Sequence, residues 1–200
     1  MKAVQEYYAR SAELLAERYE ALRFEDVHDE VLPFLPTPPA GVADVGAGTG
    51  RDAAALASRG FTVTAVEPVP ELRAVAQRLH ADAAVTWLDD ALPALSRLTG
   101  PFDLILLSAV WMHLDEDERE PSMRRLYDLT ALGGYVALSL RHGPPPTDRR
   151  MYDIPADETI ALAERCGFTA LGTGGGADHL GRAEVHWSQL ILQKRKVHAA

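Results

Sequence analysis

The segment VADVGAGTGRD at residues 42–52 contains a short apolar run, three closely spaced glycines and the first residues of a helix-forming stretch. Gly46, Gly48 and Gly50 permit positive φ and allow the backbone to approach a ligand closely. Amides at the start of the following helix would point at the same place. The segment therefore predicts a strand, a ligand-binding turn and a helix, in that order.

Short apolar runs and helix-forming stretches alternate after this segment, which predicts a parallel sheet with helices on both faces. The run LILLS at residues 104–108 lacks polar alternation, as expected of a strand that is buried on both faces. The predicted strands are 42–45, 62–66, 84–88, 104–107, 135–140, 169–172 and 185–192. The predicted helices between them are 51–58, 70–79, 92–98, 116–129 and 157–165.

The last two predicted strands break this alternation. The loop 173–184 between them has no helix-length periodicity and is too short for a normal crossover, so we expect the two strands to pair antiparallel. The prediction is an α/β fold with a doubly wound seven-stranded sheet, mostly parallel and closed by a C-terminal antiparallel hairpin.

An N-terminal helical cap is expected to precede this sheet. Residues 2–22 have amphipathic helical spacing, and residues 27–35 predict a second, short helix. The prolines in PTPP at residues 36–39 indicate a linker. The cap is therefore predicted at residues 1–39 and the sheet domain at residues 40–200.

Composition narrows the function classes. The 200 residues include 20 Lys and Arg against 29 Asp and Glu, a net charge of −9 that disfavours nucleic-acid binding. The single cysteine, Cys166, excludes an internal disulfide framework and a cysteine-based zinc cluster. Neither a signal peptide nor an apolar run of membrane-spanning length is recognisable. We expect a cytoplasmic protein with no nucleic-acid or membrane partner, as a monomer or homodimer.

An acidic residue, Glu67, ends the second predicted strand, where a carboxylate can accept hydrogen bonds from both hydroxyls of an adenosine ribose. The dinucleotide fingerprint G-x-G-x-x-G places its last glycine one residue later than this chain does. Asp44 would repel a pyrophosphate but attract the ammonium of an amino-acid ligand. Charge therefore favours a zwitterionic adenosyl ligand over NAD, with a purely structural glycine turn as the remaining alternative.

These residues resemble the class I S-adenosylmethionine-dependent methyltransferases. The motif DVGAGTG is similar to the family's first motif, Glu67 matches its ribose-binding acid, and the resemblance extends over residues 41–193. It implies a Rossmann-like domain with S-adenosylmethionine as cofactor and S-adenosylhomocysteine as product. Asp89, or alternatively Asp90, would contact adenine, although both could instead cap the next short helix. The expected cofactor-binding residues are Asp44, Gly46, Ala47, Gly48, Gly50, Arg51, Glu67, Pro68, Asp89, Asp90, Ala91, Ser108 and Tyr8.

The acceptor and the catalytic groups are expected after the fourth and fifth strands and on the cap. His113 is the first candidate for a general base and His142 the second, each with a surface or loop role as the alternative. Arg141 could bind a substrate carboxylate or form a structural salt bridge. The expected substrate-binding residues are Trp111, Arg141, Phe24 and His28.

The acidic run HLDEDE at residues 113–118 has the composition of a metal site, but an acidic first helical turn explains it better. We expect Asp115 or Asp117 to be the N-cap and no metal to bind. The predicted function is methyl transfer to a small-molecule acceptor. The alternatives are a protein or peptide methyltransferase, a non-catalytic subunit that binds an adenosyl ligand, and an NAD-dependent oxidoreductase.

Overall fold

The computed structural model describes residues 2–195, with side chains from residue 4 onward. Its strands are β1 (Gly41–Val45), β2 (Thr62–Val66), β3 (Val85–Leu88), β4 (Phe102–Leu107), β5 (Thr130–His142), β6 (Phe168–Ala177) and β7 (His186–Lys194). Its helices are α1 (Lys2–Glu20), α2 (Phe24–Val27), α3 (Arg51–Ser58), α4 (Pro70–Leu79), α5 (Glu116–Leu129) and α6 (Ala156–Arg165). Short 3₁₀ turns cover Leu32–Phe34 and Trp111–His113.

The seven strands form one sheet in the order β3-β2-β1-β4-β5-β7-β6. Strands β1 to β5 pair in parallel, and β7 pairs antiparallel with both β5 and β6. This arrangement confirms the predicted fold class, including the closing hairpin. Strand order reverses between β1 and β4, and a crevice for ligands forms at such a switch point, outside the carboxyl ends of the strands.

Apolar layers cover both faces of the sheet. Along β4, Ile105 and Leu107 pack into one buried cluster, and Leu104 and Leu106 pack into the other. Successive side chains of a strand point to opposite faces, so an unbroken apolar run is what a doubly covered strand requires.

Two of the predicted helices are wrong. Residues 92–98 form turns, because the Asp90 carboxylate accepts hydrogen bonds from the amides of Arg97 and Leu98. The leucines that indicated a helix there are buried in the core from an irregular loop. The predicted helix 27–35 also fails: α2 ends at Val27, and the chain continues through a bend into the Leu32–Phe34 turn.

The loop predicted at residues 173–184 is shorter than expected, because β6 continues through its glycines to Ala177. A Cβ atom on Gly175 would overlap the carbonyl oxygen of Trp187 on β7. Glycine therefore allows the two strands of the hairpin to pair closely here, where the sequence pattern indicates a turn.

Helix α1 packs across α4, where Ala12 and Ala16 contact Leu72 and Val75. The Thr49 hydroxyl donates a hydrogen bond of 2.6 Å to Glu20 and so connects the end of α1 to the glycine turn. The predicted segments 1–39 and 40–200 include residues 1 and 196–200, which lie outside the described residues. Among residues 2–195, no helix combines the length and apolarity that a membrane crossing needs.

Candidate functional site

A cavity of about 440 Å³ lies at the carboxyl ends of the strands and beneath α1. This volume lies within the range of about 300–1,000 Å³ that is usual for small-molecule sites. Its walls come from the glycine turn, the ends of β2, β4 and β5, the β6–β7 hairpin and α1. The cavity therefore lies at the switch point that the strand order predicts.

The glycine turn forms the floor of this cavity. Gly46 has φ +76°, and a Cβ atom there would overlap the Val110 side chain. Gly48 has φ +56°, and the nearest atom to a Cβ there would be the Gly46 carbonyl oxygen, 4.0 Å away. A side chain at residue 48 would thus extend into the cavity. Gly50 is different, because it faces Ala76, His80 and Trp87 and does not line the cavity.

Asp44 is a buried carboxylate without a charged partner. It is 1% exposed, and within the described residues its Oδ2 atom has no hydrogen-bond partner. Burial raises the pKa of Asp44 well above its ordinary value, and the nearby Asp52 raises it further. The Arg51 charge lowers the pKa of Asp44, but the Arg51 guanidinium is bound to Asp52 at 2.7 Å and forms no ion pair with Asp44 among the described residues. The cavity therefore contains an acceptor that a cationic ligand would satisfy.

Glu67 lies one strand away, at the end of β2, and is 4% exposed. Its Oε2 atom accepts a hydrogen bond from the Gly48 amide and its Oε1 atom accepts one from the Val69 amide, both at 2.9 Å. Burial raises the pKa of Glu67 to about 7, although these two amides act in the opposite direction. Each carboxylate oxygen retains a lone pair that a ligand hydroxyl could use.

The two acids after β3 have different surroundings. Asp90 lines the cavity together with Pro68, Ala91 and Ser108. Asp89 instead lies 3.3 Å from Arg73, and its side chain is 56% exposed. Of the two alternatives left open by the sequence, Asp90 is therefore the one at the cavity, while its carboxylate also binds the backbone of the 92–98 loop.

Tyr8 and His113 form a buried pair above β4. The Tyr8 hydroxyl lies 3.0 Å from His113 Nε2, and His113 Nδ1 lies 2.9 Å from the Arg150 carbonyl oxygen. A carbonyl can only accept, so Nδ1 carries the proton and Nε2 accepts from Tyr8. Burial lowers the pKa of His113 to about 4 and raises that of Tyr8 above its usual range. Both side chains are therefore neutral at neutral pH.

Besides Gly50 and Asp89, four predicted site residues lie outside the cavity lining. Trp111 is fully buried in the core on one face of the sheet. Phe24 packs into the core of the other face, and His28 turns toward α3 and binds Asp52. His142 lies between Asp153 and Ser188, at 2.8 and 2.9 Å. These are corrections to the expected positions: Phe24 and His28 face the core and α3, and Trp111 is buried on its 3₁₀ turn.

Sequence reasoning missed several cavity residues. Arg149 lies in the loop after β5, and Asp178 and Arg182 lie between β6 and β7, beside the predicted Arg141. Tyr19 also lines the cavity, three helical turns after Tyr8 on α1. The helical spacing of the two tyrosines could have indicated a shared face. Nothing in the spacing of the loop residues marks them.

The acidic run at 113–118 forms a helix start. The Glu118 amide donates to Asp115 and the Asp115 amide donates to Glu118, both at 3.0 Å, which is a capping box. Asp115 is thus the N-cap, as one of the two alternatives predicted. No group of three His, Cys, Asp or Glu side chains within residues 2–195 is arranged to hold a metal ion.

Comparison with known proteins finds methyltransferases. A family model described as a methyltransferase domain matches residues 42–134, which contain the glycine turn, Glu67, Asp90 and His113. This match supports a class I S-adenosylmethionine-dependent methyltransferase. The chain is 28% identical over 131 residues to an uncharacterized methyltransferase of Oceanobacillus iheyensis. That match covers 65% of this chain and 57% of the relative's length.

Solved structures of two methyltransferases share the fold of this chain. The 1,6-didemethyltoxoflavin-N1-methyltransferase of Burkholderia thailandensis has a TM-score of 0.72 at 23% identity, over 98% of this chain and 88% of that chain. The magnesium protoporphyrin IX methyltransferase of Synechocystis has a TM-score of 0.69 at 18% identity, over 94% and 84% of the two chains. At these identities the likeness concerns the fold.

Proposed function

We propose that this chain binds S-adenosylmethionine and transfers its methyl group to a small-molecule acceptor. The observation that carries the proposal is the buried Asp44 carboxylate, which has an unpartnered oxygen beside a glycine turn and Glu67 one strand away. Two separated anions suit a ligand that has an ammonium at one end and a ribose in its middle. A diphosphate in the same place would be repelled by Asp44.

Each part of the ligand has a matching group in the proposed site. Asp44 would accept from the ammonium, Glu67 from the ribose hydroxyls, and Asp90 or Ala91 would contact the adenine edge. The open space over Gly48 leaves room for the ligand backbone. The remaining proposed cofactor contacts are Gly46, Ala47, Arg51, Pro68, Ser108 and Tyr8, all of which line the cavity.

The N-terminal segment 1–39 is proposed to act as a cap that excludes water. Tyr8 and Tyr19 of α1 both line the cavity, and Glu20 binds Thr49 of the glycine turn. A covered cavity of about 440 Å³ favours a small acceptor over a protein chain. The solved structure of the Burkholderia thailandensis enzyme contains 1,6-didemethyltoxoflavin and S-adenosylhomocysteine, a small-molecule precedent in the same fold.

Calorimetry with S-adenosylhomocysteine and NADH tests the first half of the proposal. We expect micromolar or tighter binding of the adenosyl ligand and none of NADH; the reverse order would indicate an oxidoreductase. Incubation with methyl-labelled S-adenosylmethionine and a cell extract tests the second half. A methyl gain on a small molecule supports the proposal. Label on proteins would indicate a protein methyltransferase, and binding without any transfer would indicate a non-catalytic subunit.

His113 is proposed to assist removal of a proton from the acceptor. When bound, S-adenosylmethionine supplies an electrophilic methyl group whose leaving group is a neutral thioether, so no acid is needed on that side. The neutral His113 Nε2 accepts a hydrogen bond from the Tyr8 hydroxyl, and both residues line the cavity. Tyr8 could accept the acceptor's proton while it passes its own to His113, because the hydrogen bond between them is already formed.

We expect His113→Gln to lower kcat by about 100-fold and to change the KM for S-adenosylmethionine little, because general-base assistance contributes about 10²–10⁴-fold. Because the pKa of His113 is about 4, the wild-type kcat should be flat from pH 6 to 9 and fall only below about pH 5. Steady-state kinetics across this range gives the test. Unchanged kcat in His113→Gln, or a larger loss in His142→Gln, would remove His113 as the base.

The raised pKa of Glu67 predicts that the affinity for S-adenosylhomocysteine depends on pH. Ribose hydroxyls donate to the ionised carboxylate, whose pKa in the free protein is about 7. Protonation competes with binding below that value, so S-adenosylhomocysteine affinity should fall about tenfold per pH unit between pH 7 and 5. Asp44, whose pKa is also raised, acts in the same direction. Calorimetry at pH 5, 6, 7 and 8 measures the trend.

The Glu67→Gln variant is the control for this pH dependence. This variant should bind S-adenosylhomocysteine more weakly than the wild type at pH 8. Its affinity should also change less steeply with pH, because only Asp44 still titrates. Stability of the free protein should show the opposite trend. A raised carboxyl pKa contributes stability below its unfolded value of about 4.5, and this contribution is lost as pH rises through about 7. Affinity that increases toward pH 5 would contradict the assignment of Glu67.

A further inference from the structure

Three arginines line the part of the cavity that lies beyond β4. Arg141 is near the end of β5, Arg149 is in the loop that follows, and Arg182 lies between β6 and β7. They are close enough to affect one another: burial lowers the pKa of Arg141, and the charges of Arg182 and Arg149 lower it further. A chain of net charge −9 thus gathers three guanidinium groups at one wall of its cavity.

The carboxylates near these arginines compensate them unevenly. Asp178 binds Arg182 through both oxygens, at 2.6 and 2.9 Å, so that this guanidinium is fully paired. Arg149 lies 2.8 Å from Asp148, whose side chain is half exposed. Arg141 has no carboxylate partner within the described residues, and its recorded hydrogen bond is a long one of 3.3 Å to the Gly143 carbonyl oxygen.

Two buried donors in this group have nothing to donate to. The Nε atoms of Arg141 and Arg149 are both buried and have no hydrogen-bond partner among the described residues. Arg141 as a whole is only 8% exposed. A buried charged donor without an acceptor costs more free energy than a neutral one, and a ligand oxygen would remove that cost. Guanidinium groups are suited to paired hydrogen bonds with carboxylate or phosphate.

Apart from Asp178, which binds Arg182, the acids of the cavity form no recorded ion pair with these three arginines. Asp44 and Glu67 lie at the ends of β1 and β2, in the part of the cavity assigned to the cofactor. Asp29 and Glu30 are exposed at the rim. The cavity is therefore polarised, with its anions at the ends of β1 and β2 and its uncompensated cations beyond β4.

We propose that the methyl acceptor is an anionic small molecule, whose carboxylate or phosphate is bound by Arg141 and Arg149. This inference rests on the proposed function, since it assigns to the cofactor the space over β1 to β3. Strand order supports the separation: β4 lies between β1 and β5, so Arg141 lies two strands away from the glycine turn. Arg149 also packs over the Tyr7 and Tyr8 rings, at 4.3 and 5.8 Å, which holds its guanidinium near the Tyr8–His113 pair.

The test follows the arginine Nε–Hε resonances by NMR in protein saturated with S-adenosylhomocysteine. Sodium phosphate and sodium acetate are titrated separately at constant ionic strength, with chloride as the reference anion. Arg141→Gln and Arg149→Gln assign the two resonances. Arg124, which pairs with Glu120 on the exposed face of α5, is the internal control.

We expect saturable shifts at Arg141 and Arg149 with phosphate, acetate or both, and none at Arg124. A response to phosphate alone indicates a phosphorylated acceptor, and a response to acetate alone indicates a carboxylate. Each single Gln variant should weaken anion binding at least tenfold, with Arg124→Gln matching the wild type. If one variant fails to fold, the other still assigns its own resonance, and the shift of that resonance in the wild type reports anion binding directly.

Two results would overturn the inference. If the arginines respond only in protein without S-adenosylhomocysteine, they bind the carboxylate of the cofactor and not the acceptor. If all arginines respond alike, or respond equally to chloride, the group is not a binding site. Failure of S-adenosylhomocysteine to bind at all is a separate outcome, which would contradict the proposed function itself.

Discussion

Asp44→Asn is expected to weaken S-adenosylhomocysteine binding about 100-fold and at the same time to stabilise the free protein. The loss of affinity follows from removing a buried anion that pairs with the ligand's ammonium; truncating one partner of such a pair costs about 2–5 kcal/mol. The gain in stability, about 1 kcal/mol or more, follows because the free protein holds a desolvated carboxylate with an unpartnered oxygen. Calorimetry and chemical denaturation measure the two effects.

The sign of the stability effect depends on pH. Burial favours the protonated form of Asp44 and raises its pKa, so the folded state binds a proton more tightly than the unfolded chain does. The wild-type carboxyl therefore destabilises the fold increasingly as pH rises above its unfolded pKa of about 3.8. The stabilisation by Asp44→Asn should be larger at pH 8 than at pH 5.

Asp103→Asn is the matched control. Asp103 accepts a hydrogen bond of 2.9 Å from the Gly41 amide, at the amino ends of β1 and β4, and does not line the cavity. The same chemical change there should leave ligand affinity within about twofold, because it removes no charge from the site. Wild-type affinity in Asp44→Asn would contradict the assignment of Asp44 to the ammonium.

Gly48→Val is expected to abolish measurable S-adenosylhomocysteine binding while the protein still folds. A Cβ at this position meets no protein atom closer than the Gly46 carbonyl oxygen at 4.0 Å, so the side chain fits the folded protein and occupies the space of the ligand. The backbone at φ +56° adds strain of about 1–2 kcal/mol for a residue with a Cβ. Binding should therefore be lost through steric exclusion of the ligand and not through unfolding. Calorimetry measures the loss of binding, and thermal melting shows that the variant still folds.

Gly60→Val separates these two causes. Gly60 has φ +86°, so it bears the same kind of backbone strain, and a Cβ there would lie 3.6 Å from Pro38, in ordinary contact. It does not line the cavity. This variant should lose a similar amount of stability and bind the ligand as the wild type does. Equal loss of binding in both variants would show that strain and not occupancy of the cavity is responsible.

The parts of the site that the sequence predicted depend on local backbone constraints. The glycine turn must lie at the end of β1, and Glu67 must lie at the end of β2, because each directly follows a short strand in the chain. Asp90 was one of two alternatives, since two neighbouring acids after a strand point in different directions. A choice between them needs the position of Arg73, which binds Asp89 from another element.

Sequence reasoning misplaced or missed the residues whose positions are set by packing between segments that are distant in the sequence. Aromatic and histidine side chains are common in ligand-binding sites, and the sequence therefore favoured Trp111, Phe24 and His28. In the structure, Trp111 and Phe24 pack in the core and His28 binds Asp52 of α3. Arg149 and Arg182 come from loops that have no periodicity. Arg182 is brought near Arg141 because β7 pairs with both β5 and β6.

Residue patterns were sufficient to predict the order of the seven strands, the closing hairpin, the glycine turn and the two carboxylates Asp44 and Glu67. These features follow from short-range rules: side-chain periodicity, the φ angles open to glycine and the position of a residue at the end of its strand. Tertiary structure alone decided which side chains share the cavity and which protonation state burial favours. Those properties depend on desolvation and on charges that approach from distant segments, which no local spacing encodes.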